Sequence, residues 1–561
     1  MNDISDIGAV RTLVGQLYKR SICDVVLSPG SRNAPFILSF NAIEGFQCTS
    51  VLDERSAGFV ALGIAQQKGN PAVLSCTSGS AVVNYAPALV EAYYQKIPLI
   101  AITADRPAAW IDQGEGQSIR QVGLLENVVV ASFNLVEEHN ELDQWHNHRL
   151  VNEALETALH SSRPVQINVP LSEPLYGTAP FDLDGIPSFS FAQMKHAVVD
   201  TELDVLLNEW NEAKSIAILA TDGSAGDQIQ EVLRKIHDDP RVVIITETNA
   251  NVYHLGYVSC IDRTIECFIG TESEAQYIPE LLITVGGNVI SKKLKAMFRR
   301  HKRSIVNHWH FGAEVMDTFQ ALTHLIDATP QAVLGRCEPV YSATGEGFGV
   351  RWKARFFEVE QKHLAFLERA DYSDLKVFER ILDYLPDGSV LQMGNSSVVR
   401  YIQLFNQIRG VRYFGNRGVS GIEGCTSTSV GAALGTDALT VLVSGDQAFR
   451  YDANALGVNE GRDNLRVIVI NNGGGNIFRI IDGPSNHKAS EAFIEKKDES
   501  SIERLVEYHG VDYLSAKNLE ELDASLEKLF APHRKSSAVL EVFTPRIESP
   551  EILKKYFSAL K

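Results

Sequence analysis

Gly445-Asp446 and Asn471-Asn472, the latter running into Gly473, Gly474 and Gly475, are the residues of this chain best suited to chemistry. A carboxylate and an amide oxygen are hard ligands for a cation such as Mg2+, which keeps open positions for phosphate oxygens. Glycines beside them let backbone groups approach a ligand closely. The plainer alternative is that Asp446 and Asn472 are turn and cap residues, common after strands. Their surroundings favour the ligand reading. Val441–Val443 and Val467–Ile470 are short, β-branched apolar runs of the kind that form buried parallel strands. The segment between them is long enough for a helical crossover. Both residues then stand beyond the carboxyl ends of strands in one sheet, where open α/β sheets bind ligands.

Two further sets of residues stand out. Asp53-Glu54-Arg55 follows an apolar run and precedes the helical stretch AGFVALGIA. An acid there complements a helix dipole whatever else it does. Arg32, Arg106, Arg120, Arg400 and Arg417 all lie in turn-rich contexts. Guanidinium binds carboxylate bidentately, so several of them near strand ends suggest a pocket for multiply carboxylated substrates.

The elements that must position these residues alternate along the chain. Strand-like runs are Asp24–Leu27, Ala72–Ser75, Leu99–Thr103 and Val165–Val169, then Ser215–Leu219, Val242–Ile245 and Leu281–Val285, then Val390–Gln392, Val441–Val443, Val467–Ile470 and Ala538–Val542. Helical stretches between them predict an α/β chain of three doubly wound parallel-sheet domains. Their expected spans are 1–180, 190–345 and 371–561. A Pro/Gly/Ser-containing stretch from Pro174 to Ser190 reads as a linker, and the turn formers of Glu338–Gly349 as a second boundary. Residues 72–92 align with 440–460, and 98–105 with 465–472. Either two doubly wound domains share a generic pattern, or a duplicated pair has taken on different jobs. Asp446 falls opposite Thr77 and Ser78, which are poor Mg2+ ligands, so only the last block is expected to hold a metal–phosphate group.

At 561 residues the chain is too long for one core. Its 45% hydrophobic and 22% charged composition is that of a globular protein. A formal net charge of -18 argues against nonspecific binding to nucleic acid or anionic membrane. The N-terminal MNDISDIGAV has no basic region followed by an apolar core, and no run has the length of a membrane span. Seven Cys without a Cys-x-x-Cys pair suggest reduced thiols, so the expected location is cytoplasmic. His146/His148 and His308/His310 have the alternate spacing that puts both side chains on one face of a strand, and are expected to be surface pairs rather than zinc sites. The charged run KKDESSIE, near residue 500, reads as a solvated loop and helix start.

The Gly-Asp…Asn-Asn pattern resembles the signature of thiamine-diphosphate enzymes, with Gln447 where that motif usually has Gly. The resemblance implies Mg2+, with Mn2+ as a possible substitute, held by Asp446, Asn472 and the main-chain carbonyl of Gly474. It implies that Glu54 hydrogen-bonds the aminopyrimidine ring of thiamine diphosphate and activates it, and that Ile422, in SGIEG, props the cofactor in a bent shape; otherwise Ile422 is a plain core residue. It also implies a homo-oligomer, at least a dimer, with active sites at the subunit interface.

SPGSRNAPF, DERSAGF, TSGSAVVNYAPALVEA, TADRP, QSIRQVG, GNSSVVR, NRGVSGIEG and NNGGGNIF further resemble one branch of that family, acting in menaquinone biosynthesis. Members of this branch decarboxylate 2-oxoglutarate and add the succinyl unit to isochorismate in a Stetter-like conjugate addition. The substrate site implied is Ser31, Arg32, Arg106, Gln117, Lys292, Ser396, Arg400, Arg417, Ile477 and Phe478. Catalytic duties fall to Glu54, Arg32, Arg400 and Arg417. The alternatives are another thiamine-diphosphate carboligase or decarboxylase, such as an acetolactate synthase with smaller substrates, or a non-catalytic binding protein on the same fold.

Overall fold

The computed structural model describes residues 3–191, 198–223, 226–341, 346–458, 463–480 and 489–561. Its framework is three parallel sheets of six, five and six strands. In spatial order the first comprises Gln47–Ser50, Asp24–Leu27, Ala72–Cys76, Leu99–Asp105, Val165–Pro170 and Ala131–Asn134. The last comprises Arg412–Phe414, Val390–Met393, Thr440–Gly445, Leu465–Asn471, Ala538–Phe543 and Asp512–Ala516. Taken strand by strand, the two sheets have the same order relative to the sequence. The central sheet runs Val242–Thr246, Ile216–Ala220, Leu281–Val285, Asn307–Phe311 and His324–Ile326.

Interior strands such as Ala72–Cys76, Leu99–Asp105 and Leu465–Asn471 are buried along their whole length. That burial on both faces is why they read as largely apolar runs rather than alternating ones. The strands that sequence reasoning missed are mostly edges. Gln47–Ser50, Ala131–Asn134, Arg412–Phe414 and Asp512–Ala516 border the two six-stranded sheets, are partly exposed and carry polar residues. Edge strands of this composition avoid pairing with other chains, and for the same reason leave a weak signal.

Two expectations, on the first linker and on the histidine pairs, need correction, and one boundary falls partly outside the described residues. The stretch from Pro174 to Ser190 is not a bare linker: Thr178–Pro180 pairs antiparallel with Asp3–Ser5, and Phe181 and Ile186 pack with Ile4. In the Glu338–Gly349 boundary, residues 342–345 lie outside the described residues, and Phe348 already opens the long Phe348–Leu367 helix. His308 and His310 do share a strand face, but they are buried, not on the surface, and both bond the Thr284 hydroxyl. Burial lowers the pKa of each. His146 and His148 lie on the Glu141–Ser161 helix, where two-residue spacing does not align side chains.

The first and last sheets share one apolar core, in which Phe59, Val60 and Leu62 meet Val430, Leu442 and Val469. Its centre is the contact between the Glu54–Lys68 and Cys425–Gly435 helices. Glycines allow it: a Cβ added at Gly63 would stand 2.0 Å from the Thr428 carbonyl oxygen, and one at Gly431 would stand 2.0 Å from that of Val60. This approach fixes the start of the Glu54 helix against the last sheet. Among the described residues no helix is long and apolar enough to cross a membrane.

Candidate functional site

Asp446 and Asn472 follow adjacent, hydrogen-bonded strands, Thr440–Gly445 and Leu465–Asn471. Asp446 is buried, and its Oδ2 has no hydrogen-bond partner. Burial pushes its carboxyl up to about 7, with Arg450 pulling the other way. A buried carboxylate oxygen without a partner is costly unless a cation compensates it. Asn472 is oriented by Asp374, whose Oδ2 accepts from the Asn472 Nδ2 at 3.1 Å. That bond occupies the amide nitrogen and leaves the amide oxygen as the free ligand atom. Asn471 holds the turn from the other side: its Oδ1 accepts from the Gly473 N–H, while its Nδ2 donates to the buried Glu541 at 2.6 Å. Gly474 has a φ of +145°, a conformation that favours glycine. Its carbonyl accepts from the Asn476 N–H at 2.8 Å and keeps a second lone pair. Carboxylate, amide oxygen and carbonyl form a hard-oxygen set that fits Mg2+.

Two features here escaped the sequence. The Asn476 side chain is buried with neither amide atom bonded. The charged segment expected to be a solvated loop is strapped over the glycine turn instead. Gly475 N–H donates to the Glu495 carbonyl, Asp498 N–H to the Gly473 carbonyl, and Gln447 Nε2 to the carbonyls of Glu495 and Lys496. Arg450 ion-pairs with Asp498. Gln447, the departure from the family motif, is thus part of the strap.

Glu54 opens its helix but does not cap it. Asp53 does, its Oδ1 accepting from the N–H groups of Arg55 and Ser56. Glu54 is left free for another task, half-buried and near Cys76 and Tyr85. Its flanks are tied to the segment after Asp446: Asn454 Nδ2 donates to Asp53, and Arg55 Nη2 to the Tyr451 carbonyl. Ile422 is 40% exposed, which rules out the plain core alternative.

The expected substrate residues fall into two groups. Ser31, Arg32, Arg106 and Gln117 gather at the carboxyl end of the first sheet. Arg32 is buried, donates to the Leu171 carbonyl at 2.7 Å and lies 3.3 Å from Glu173. Ser31 and Arg32 are held by their neighbour Asn33, which bonds the Ser28 and Ser75 carbonyls. Arg106 donates to the Gly116 carbonyl, and the Gln117 carbonyl accepts from Ser78. Arg120 is exposed and pairs with Asp112.

The second group spans the central and last sheets. Ser396 has a φ of +70° and precedes the Ser397–Ile402 helix, which carries Arg400. Arg417 is buried, and its Nη1 donates to Asn395 Oδ1 at 2.8 Å. Burial, then the charge of Arg400, hold its pKa below the usual guanidinium value. Glu247, pushed up to about 7 by burial, is close enough to oppose this. Lys292 opens the Lys292–Arg300 helix and is exposed. It is Lys295, one turn on, that feels Arg400, Arg417 and Glu247, and burial lowers its pKa. Sequence reading missed Lys295, Glu247 and Asn395; the helical spacing of Lys292 and Lys295 was the available signal for the first. Ile477 and Phe478 open the Ile477–Ile480 helix after the glycine turn.

Comparison with known proteins places both outer regions in one enzyme class. Residues 9–124 match the thiamine pyrophosphate enzyme N-terminal TPP binding domain, and residues 393–542 the C-terminal TPP binding domain. Curated relatives named 2-succinyl-5-enolpyruvyl-6-hydroxy-3-cyclohexene-1-carboxylate synthase align over almost the whole chain. The Flavobacterium johnsoniae protein is 38% identical over 99% of each chain. The Porphyromonas gingivalis protein is 37% identical over 99% of this chain and 98% of its own, and the Bacteroides thetaiotaomicron protein 36% over 99% of each. The chain belongs to the 2-succinyl-5-enolpyruvyl-6-hydroxy-3-cyclohexene-1-carboxylate synthase family of thiamine pyrophosphate enzymes.

Proposed function

We propose that this enzyme decarboxylates 2-oxoglutarate and adds the succinyl unit to isochorismate, releasing CO2 and forming 2-succinyl-5-enolpyruvyl-6-hydroxy-3-cyclohexene-1-carboxylate. Full-length likeness to synthases of that name carries the reading, and the buried Arg417 and the unpartnered oxygen of the buried Asp446 support it. Thiamine diphosphate, when bound, would supply a nucleophilic carbon for the keto group of 2-oxoglutarate and a cationic thiazolium ring that takes up the electrons released with CO2 and returns them in the addition to isochorismate. Asp446, the Asn472 amide oxygen and the Gly474 carbonyl would hold Mg2+, or Mn2+ in its place, against the diphosphate. Glu54 would bond the aminopyrimidine and hold the proton that sets its tautomer. Ile422, a bulky apolar side chain left exposed on its loop, would support the cofactor from below.

Arg400 and Arg417, with Lys295 behind them, give a cationic surface for the substrate carboxylates. Ser31, Arg32, Arg106 and Gln117 give a second polar surface on the first sheet. Among the described residues, the hydrogen bonds and ion pairs of Arg32, Arg106 and Gln117 stay within the first 180 residues, and those of Arg417 join it to the last sheet and the central one. We take the chain as domains 1–180, 190–345 and 371–561, and the working form as a homo-oligomer whose sites lie between subunits. Ile477 and Phe478 would exclude water, so that the reacting carbon is not protonated before the second substrate arrives.

The test is turnover of purified protein with Mg2+, thiamine diphosphate and both substrates, with the product identified by mass. The expected mass is that of the succinyl adduct, formed with one CO2. Activity on pyruvate alone, with none on the proposed pair, would assign the site to an acetolactate-type reaction instead.

A further inference from the structure

The loop that carries Arg417 is gripped from all three sheets. From the last sheet, Asn395 Nδ2 donates to the carbonyls of Asn416 and Gly421. From the central region, Asn288 Nδ2 donates to the carbonyls of Arg417 and Gly418, at 3.0 and 2.8 Å. From the first region comes a carboxylate. Glu91, on the Ala86–Gln95 helix, accepts the Gly418 N–H on Oε1 at 2.5 Å and the Val419 N–H on Oε2 at 2.8 Å. Gln95, one turn later, donates to the same Oε1 at 2.6 Å and to the Gly415 carbonyl at 3.2 Å. Glu91 is 1% exposed, and no Lys, Arg or His among the described residues forms an ion pair with it. The fit leaves no slack, since a Cβ at Gly418 would stand 2.6 Å from the Glu91 carbonyl oxygen.

A buried carboxylate is costly to desolvate. Neutral polar residues could cross-link a loop at lower cost. Glu91 gives two things they would not. Both of its oxygens accept successive backbone N–H groups, as bidentate, charge-assisted bonds that fix the peptide planes next to Arg417. Its charge also reaches the Arg417 guanidinium, where it acts with Glu247 and Asp222 against desolvation.

We infer that Glu91 is a positioning residue for Arg417: it fixes the aim and the charge of that guanidinium from another part of the chain, without touching substrate. This rests on the reading of Arg417 as a ligand for a substrate carboxylate. It also gives the first region a task besides presenting Glu54 and the polar surface of Ser31, Arg32, Arg106 and Gln117.

The experiment is a double-mutant cycle on the full-length enzyme with Glu91→Gln and Arg417→Ala, varying each substrate separately. Arg417→Ala alone tests the underlying reading, which fails if the KM values for 2-oxoglutarate and isochorismate both stay unchanged. If one rises, Glu91→Gln should raise the same KM by on the order of tenfold, since the new amide opposes a backbone N–H that it cannot satisfy. Affinity for thiamine diphosphate with Mg2+, read by calorimetry, should stay within about twofold. Added to Arg417→Ala, Glu91→Gln should cost almost nothing more. Independent, multiplying effects, or an unchanged KM in Glu91→Gln, would overturn the inference and leave Glu91 a plain staple. Should Glu91→Gln not yield folded protein, Asn288→Ala releases the same loop from the other side and enters the same cycle. A raised KM that vanishes on top of Arg417→Ala then supports the inference, and an unchanged or independent one overturns it.

Discussion

The first and last sheets have one strand order and two chemistries, and the difference lies in the residues just past two of their strands. After Ala72–Cys76 comes Ser78, whose hydroxyl donates to the Gln117 carbonyl. After Thr440–Gly445 comes Asp446, with a buried oxygen that nothing in the chain satisfies. At the end of the next strand the contrast repeats. Asp105 accepts the Arg106 N–H at 2.7 Å and Asn168 Nδ2 at 2.9 Å, so its carboxylate is spent on the fold. Asn472 is held by its nitrogen, leaving its oxygen available. At these positions Ser78 and Asp105 are bonded within the chain, while Asp446 and Asn472 each keep an oxygen unpaired. A buried carboxylate oxygen and an amide oxygen left unpaired at the ends of adjacent strands are an arrangement that a cation would complete.

The largest effect should come from exchanging these roles. Asp446→Ala should weaken Mg2+-dependent binding of thiamine diphosphate by more than ~100-fold, beyond the loss typical when only an outer partner of a metal ligand is removed. Asp105→Asn should leave that affinity nearly unchanged and cost about 1–3 kcal/mol of stability, because it disturbs a satisfied buried acceptor. Calorimetry and thermal unfolding on both variants would separate the two. Equal cofactor losses would erase the contrast between the sheets.

The next effect is in pH. Asp446 must be ionised to bind a cation, and burial pushes its carboxyl up to about 7. Cofactor affinity at fixed Mg2+ should therefore fall about tenfold per unit as pH drops below that value, and level off above it. The metal-free protein should behave in the opposite sense. A folded-state pKa above the unfolded one means that the stability Asp446 contributes is complete below the unfolded carboxyl pKa and is lost as pH rises through about 7. Asp446→Asn should flatten both profiles. A flat affinity profile in the parent enzyme would remove the carboxylate from the metal site.

The sequence made most interior strands legible because doubly buried strands are largely apolar, as Leu281–Val285 is, while the interior Asn307–Phe311, which carries two histidines, was missed. It hid most edges, where strands such as Gln47–Ser50 and Asp512–Ala516 mix polar and apolar residues, though not the apolar edge Val242–Thr246. The strand-end positions of Asp446 and Asn472 were legible because the pattern is local. Lys295 beside Arg417, and Glu91 beneath it, were not. They reach the arginine across distances in sequence that no periodicity records, and a lysine on a charged helix or a glutamate in an apolar one looks ordinary until the partner is known. The strap over Gly473–Gly475 was misread for a related reason. Its bonds are made mostly by backbone groups, which any charged sequence could supply.

The smallest effect tests that strap and sharpens the comparison once more. Gly79 in the first sheet occupies the position of Gln447 in the last, and the two do opposite things. Gly79 receives a side chain, its N–H donating to Gln121 Oε1 at 3.0 Å. Gln447 extends one, to the carbonyls of Glu495 and Lys496 at 2.6 and 3.0 Å. Gln447→Gly would make the two sheets alike here while leaving Asp446, Asn472 and Gly474 in place. Losing hydrogen bonds worth about 1 kcal/mol each in net terms should weaken thiamine diphosphate binding only several-fold. The loss should appear as faster release, and as faster hydrogen exchange at Gly475 and Asp498, whose N–H groups close the strap. If exchange there is unchanged while affinity falls, Gln447 acts on the cofactor directly and the strap is only its neighbour.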